Sequence, residues 1–281
     1  MTVLRNILST LSVVILLSLP AMSARTAENA FAMGWQAYQR GDFLTARKYW
    51  QPLADQGNAL AQYNIGVLYA EGRGVNADRA RAMAWWRRAA KNGYLAASHN
   101  LALALIEDAS LRGNRKAAAE ALRLLRRAAD GGLVRSQYTL AQMYAYGLGV
   151  RRDDAIARRL LREAAASGLP AAQYNLGKFL RDGRGGPRDP AGAASWFEKA
   201  ALQGHVRAQS RLAVRYARGE GVKRDPVTAL AWAMLAAESG DELAQENEKA
   251  LRRRLAPAAI ARARAKAARL RDKIAATGKM L

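Results

Sequence analysis

Cysteine is absent from the 281-residue sequence. No disulfide, thiolate metal ligand or thiol nucleophile is therefore available, and stability must come from apolar packing. The absence is compatible with an oxidising compartment. Histidine is nearly absent too. His99 and His205 lie about three repeats apart, so they cannot form an H-x-x-x-H metal pair, and both read as structural. Neither a G-x-S-x-G elbow nor a Walker loop occurs, which removes those nucleophile and phosphate signatures. The chain is expected not to be an enzyme and to need no metal or cofactor. Acids are scarce as well: 23 Asp plus Glu face 45 Lys plus Arg, a net charge of +22.

Only one long apolar run occurs, Ile7 to Leu19, interrupted by small hydroxyl residues. Arg5 precedes it, Pro20 ends it, and Ala21-Met22-Ser23-Ala24 follows. A cation, a short apolar run and small residues are the three parts of a secretory signal. The run is shorter than the roughly 20 apolar residues that span a membrane. Cleavage after Ser23 puts Ala21 at the minus-three position. Residues 1–23 are thus read as a signal and the mature chain as periplasmic. The alternative is an uncleaved inner-membrane anchor.

What is abundant is repetition. The stretch Ala172 to His205 reads as a helix, a glycine-rich turn, a second helix and a glycine stop. Tyr174, Leu176, Phe179 and Leu180 share one side of the first helix, with Gly177 between them. Glycine there costs roughly 1 kcal/mol of helix propensity, which a closely packed neighbouring helix would offset. Asp189-Pro190 suits the start of the second helix. Helix-ending glycines recur at Gly57, Gly93, Gly132, Gly168, Gly204 and Gly240, spaced by 36, 39, 36, 36 and 36 residues. Ala82, Ala121, Ala157, Ala193 and Ala229 keep the same register, as do Trp85, Leu124, Leu160, Trp196 and Trp232. A fixed period of this length is the signature of a stacked helical array.

The pattern resembles the Sel1-like repeat family, a relative of the tetratricopeptide repeats. Three motifs carry the resemblance: openings such as Ala61, Ile65, Gly66 and Tyr69; turns such as Gly72-Arg73-Gly74-Val75, Gly147-Leu148-Gly149-Val150 and Gly219-Glu220-Gly221-Val222; and endings such as Trp196 to Ala201 and Trp232 to Ala237. The resemblance implies an all-α fold, a right-handed α-solenoid of stacked antiparallel helix pairs used for protein–protein contact. It implies no chemistry. It also points to periplasmic relatives that restrain sensor kinases controlling exopolysaccharide and motility. Cysteine-rich relatives linked to β-lactam binding have no counterpart in a chain without cysteine.

The resulting division is a signal at 1–23, a tetratricopeptide-like capping unit at 30–57, and Sel1-like repeats at 58–93, 94–132, 133–168, 169–204 and 205–240. Basic closing helices occupy 241–281. One continuous stack fits better than two domains, because no Pro/Ser-rich linker interrupts it, and a monomer is the expected state. The unit at 94–132 departs from the pattern. It has three extra residues, lacks the G-x-G-V turn, and places Ala117 where the other units place Asp. Gly113-Asn114 is expected to supply turn and cap. The distorted turn is either a hinge or an insertion tolerated in a surface loop.

Between Lys249 and Lys273 ten cations face one acid, Asp272. Arg252, Arg253, Arg254, Arg262 and Arg264 form the candidate anionic-surface site, which would attract acidic glycan or anionic lipid over about 8–10 Å. The alternative is solvated helix faces in an arginine-rich chain. Export and the lack of a nucleic-acid motif argue against nucleic acid. The candidate partner wall is the concave face of the first helices: Tyr63, Asn64, His99, Asn100, Tyr138, Tyr174, Asn175, Lys178 and Arg211. An amide can both donate to and accept from a peptide backbone, and Tyr offers rigid area with a polar tip. Another envelope protein would bind there as an extended segment. The alternative is that these residues are repeat consensus holding adjacent helices together.

Overall fold

A computed structural model describes residues 24–112, 114–240 and 242–278 of the chain. The signal assigned to 1–23 and the predicted turn residue Gly113 lie outside the described residues. The chain divides between Ala82 and Met83 into two compact units. The first contains α1 (Ala24–Gln39), α2 (Phe43–Asp55) and α3 (Ala59–Glu71), and α4 (Arg79–Lys91) crosses the division. The second continues with α5 (Leu95–Arg112), α6 (Arg115–Asp130), α7 (Val134–Tyr146), α8 (Asp154–Ala166), α9 (Pro170–Asp182) and α10 (Pro190–Leu202). It closes with α11 (Val206–Arg218), α12 (Pro226–Ala237), α13 (Glu242–Arg252) and α14 (Pro257–Gly278). No strand occurs among the described residues. Odd-numbered helices are the first (A) members of each pair and even-numbered helices the second (B). From α1 to α3 and again from α5 to α13 consecutive helices pack on one another, and α14 returns across α12 and α10. This is the all-α solenoid of antiparallel helix pairs.

Local chemistry sets these boundaries. B helices open on a side-chain cap: Asp42, Asp78, Asn114, Asp153, Asp189 and Asp225 each accept a backbone N–H from their own first turn, at 2.8 to 3.1 Å. Such a cap contributes about 1 kcal/mol. The peptide N–H of all five of these Asp residues also donates back to the preceding A helix, that of Asp42 to Ala37. Asp78 reaches Tyr69, Asp153 reaches Tyr144, Asp189 reaches Leu180 and Asp225 reaches Tyr216. One residue therefore closes the turn and starts the next helix.

The second glycine of each G-x-G turn has a separate cause. At Gly185 an added Cβ would lie 2.1 Å from the Asp154 carbonyl oxygen, and at Gly221 it would lie 2.0 Å from that of Pro190. The turn sits directly on the first residue of the preceding B helix. Both glycines are also left-handed, with φ of +68° and +75°, which independently disfavours a side chain.

Core packing follows size complementarity. The opening position of the A helices is fully buried at Ala61, Ala97, Ser136, Ala172 and Ala208, and nearly so at Ala244. Two A helices carry a glycine against a large ring of the B helix facing them. A Cβ on Gly177 would stand 2.7 Å from the Phe197 ring, and one on Gly34 would stand 2.4 Å from the Trp50 indole nitrogen. The close neighbour expected beside Gly177 is thus Phe197.

The three extra residues of the divergent unit do not form a surface loop. α5 has 18 residues and α6 has 16, whereas α7, α8, α9 and α10 have 13 each. Two residues separate α5 from α6, the second being Asn114, the expected cap. The insertion is absorbed as helix, because the Ala- and Leu-rich stretch favours helix over loop.

Candidate interaction surface

The predicted wall residues sit at equivalent places on successive A helices, but most are occupied inside the stack. Asn64, His99 and Tyr174 are buried, Tyr63, Asn100, Tyr138, Asn175 and Lys178 are half-buried, and Arg211 is exposed. Asn175 Nδ2 donates to Tyr138 Oη at 2.7 Å, and Gln142 Nε2 donates to the same oxygen at 3.2 Å. Burial raises the Tyr138 phenol above its ordinary value, with Tyr146 adding to the effect. Tyr174 stacks on His205 at 4.7 Å and tilts against Phe197 at 5.7 Å. Lys178 Nζ lies 5.7 Å from the Tyr174 ring. His99 Nδ1 and Ser136 Oγ are hydrogen-bonded at 3.0 Å. Burial, followed by the nearby Arg135, lowers His99 to about 4. His99, Tyr138, Tyr174 and Asn175 thus tie one A helix to the next, and three of the nine named residues present little surface to a ligand.

A second set of ties was not recognised in the sequence. Gln62 donates to the Ala54 carbonyl at 2.9 Å, Gln173 to Ala165 at 3.2 Å and Gln209 to Ala201 at 3.2 Å. Each glutamine hooks its A helix onto the C-terminal turn of the preceding B helix, adding a second donor to a carbonyl that already accepts the N–H of the glycine after that helix. The recurrence of Gln after the opening small residue was the available signal. Ser98 occupies the same register position, and its buried hydroxyl has no hydrogen-bond partner.

The second unit's A-helix wall leaves two large side chains exposed. Leu103 is 43% exposed and Tyr146 61% exposed. They lie one turn beyond His99 and two turns beyond Tyr138, on the side the predicted residues mark. Leu148, in the following turn, is 41% exposed.

Of the predicted basic site, Arg253, Arg254, Arg262 and Arg264 are exposed. Arg252 is also exposed but forms an ion pair with Glu248 on its own helix. On α14, Arg271 pairs with Glu238, and Lys266 lies 3.6 Å from Asp225. Among the described residues, no group of three or more His, Asp or Glu is placed to hold a metal, and no helix is long and apolar enough to cross a membrane.

The Sel1 repeat signature matches residues 30–58, 59–94, 96–133, 134–169, 170–205 and 206–241. The chain belongs to the Sel1 repeat family. The first Sel1 match covers the segment read above as a tetratricopeptide-like cap, so the family pattern includes that shorter-turned pair. A Sel1 repeat protein from Oxalobacter formigenes is 27% identical, with a TM-score of 0.69 over 78% of this chain and 86% of that one. A protective antigen of uropathogenic Escherichia coli is also 27% identical, covering 90% of this chain and 70% of its own, with a TM-score of 0.42. No curated protein matches the chain. A Sel1 array is a protein-interaction scaffold, and the ties described above are the scaffold's own.

Proposed function

We propose that this Sel1 protein is a non-enzymatic scaffold or regulator of the periplasm that binds a segment of another envelope protein along its A-helix wall. The observation carrying this reading is the exposure of Leu103 and Tyr146 on that wall, where neighbouring polar positions are occupied by helix-to-helix hydrogen bonds. Exposed large apolar side chains rimmed by polar ones mark protein-binding surfaces, and tyrosine is prominent among binding hot spots. The periplasmic assignment rests on the composition of residues 1–23. The family resemblance makes a sensor kinase controlling exopolysaccharide or motility the first partner class to test.

Photo-crosslinking side chains placed at 103 and 146 of the exported full-length chain should capture one defined envelope protein. The same probe at exposed Arg159, on a B helix, should not. Equal capture from 159, or capture that survives the L103A/Y146A double substitution at another wall position such as 142, overturns the proposal.

A second reading is favoured by Arg253, Arg254, Arg262 and Arg264, whose side chains are exposed. It makes the closing helices a module for acidic glycan or anionic lipid. Retention on envelope material should then weaken steeply with salt, and R253A/R254A/R262A should abolish that salt dependence. Unchanged retention at low salt refutes it.

A further inference from the structure

The floor position of the A helices is aliphatic and buried in five successive pairs: Ile65, Leu101, Leu140, Leu176 and Leu212. In the sixth pair it is Glu248. The register has not slipped, because Ala244, one turn earlier, is as buried as its counterparts. An acid thus occupies a core position. Its side chain is only 15% exposed, and Oε1 is buried without a hydrogen bond of proper geometry, although Arg252 lies against it as an ion pair.

Glu248 forms part of a cavity of about 520 Å³ between α12, α13 and α14. Met234, Ala237 and Ala267 give the cavity an apolar side. Arg252, Arg264 and Arg271 bring positive charge, and Glu238 pairs with Arg271 across the mouth. The corresponding groove between α4 and α6 has Leu101 as its floor. A polar residue that breaks the repeat pattern inside a cavity marks a site at which local packing rules have been given up for function.

We infer that this cavity binds a small zwitterion, an α-amino acid with an apolar side chain. The ammonium group joins Arg252 at the Glu248 carboxylate, which stands where the other pairs have an aliphatic side chain. The carboxylate is held by Arg264, which is exposed at the rim, in the manner of arginine–carboxylate recognition. The side chain rests on Met234, Ala237 and Ala267. The inference is independent of the partner proposed for the A-helix wall.

L-Leucine is the probe, compared with 4-methylpentanoate, which lacks the ammonium group, and isoamylamine, which lacks the carboxylate. Saturation-transfer NMR on the full chain should show leucine methyl contact, and each half-ligand should bind at least about tenfold more weakly. E248Q keeps the side chain's size and should reduce leucine binding by about tenfold or more. E248L restores the residue type of the other five pairs. It should abolish binding while raising the melting temperature. Three results would overturn the inference: no leucine contact, equal binding of 4-methylpentanoate, or unchanged leucine binding in E248Q. Crosslinking from positions 103 and 146 reads the wall separately.

Discussion

The side-chain amide of Asn175 on α9 donates a 2.7 Å hydrogen bond to the phenol oxygen of Tyr138 on α7. Two residues that could have faced a ligand instead face each other. N175A should therefore lower stability by about 1 kcal/mol, and Y138F should do about the same. The double substitution should cost less than the sum, because one bond is lost in either case. Denaturant unfolding of the four chains measures this. Strictly additive losses, or lost partner capture with unchanged melting in N175A, would return these residues to the binding surface.

The fit of Gly177 to Phe197 makes a second prediction. G177A gains about 1 kcal/mol of helix propensity but forces a methyl to within 2.7 Å of the ring. Overpacking of this kind costs about 1–3 kcal/mol, so the single substitution should be destabilising. In an F197L background the ring is gone, and the same change should be less harmful or stabilising. A coupling energy near zero would show that the two positions do not share the space.

Ser98 is too short to make the hook that Gln62, Gln173 and Gln209 make. S98Q should reach the carbonyl eight residues back, that of Ala90, as a second donor beside the Gly93 N–H, and stabilise the chain by about 0.5–1.5 kcal/mol. A fall in melting temperature would mean that the divergent unit packs too tightly to accept the longer side chain.

Acid should weaken the fold through its histidines. His99 is lowered from 6.5 to about 4 by burial and then by Arg135, and burial lowers His205 in the same direction. Between these values the unfolded chain binds protons that the folded chain refuses. Stability is therefore full above about pH 6.5 and falls as the pH drops toward 4, by at most about 3 kcal/mol for His99. Asp154, held well below the carboxylate range by Arg184 and then Arg152, loses its contribution only at still lower pH. Melting curves of H99Q/H205Q should be flatter than those of the parent chain across pH 4–6.5. Parallel curves would assign the loss to other groups.

The period, the Asp caps and the corner glycines could be read directly, because each depends on a residue's own conformational preference. The six corner glycines found by spacing all adopt positive φ, from +81° to +94°. Pairwise features were less visible. The sequence marks Tyr138 and Asn175 as recurrent but does not show that they bond across 37 residues. The three-residue insertion suggests a distorted turn, as hinge or as surface loop, yet two lengthened helices absorb it. Glu248 went unnoticed for another reason. A repeat pattern is made of matches, whereas this residue is informative because it is a mismatch.

The glutamine hooks and the glycine seats both reach toward the N-terminus, each A helix or turn gripping the B helix made just before it. Assembly of the second unit is consequently polar, like bricks keyed only on their lower face. A chain shortened from its C-terminal end keeps every key it still has. A chain shortened from the other end begins with keys that have nothing to hold.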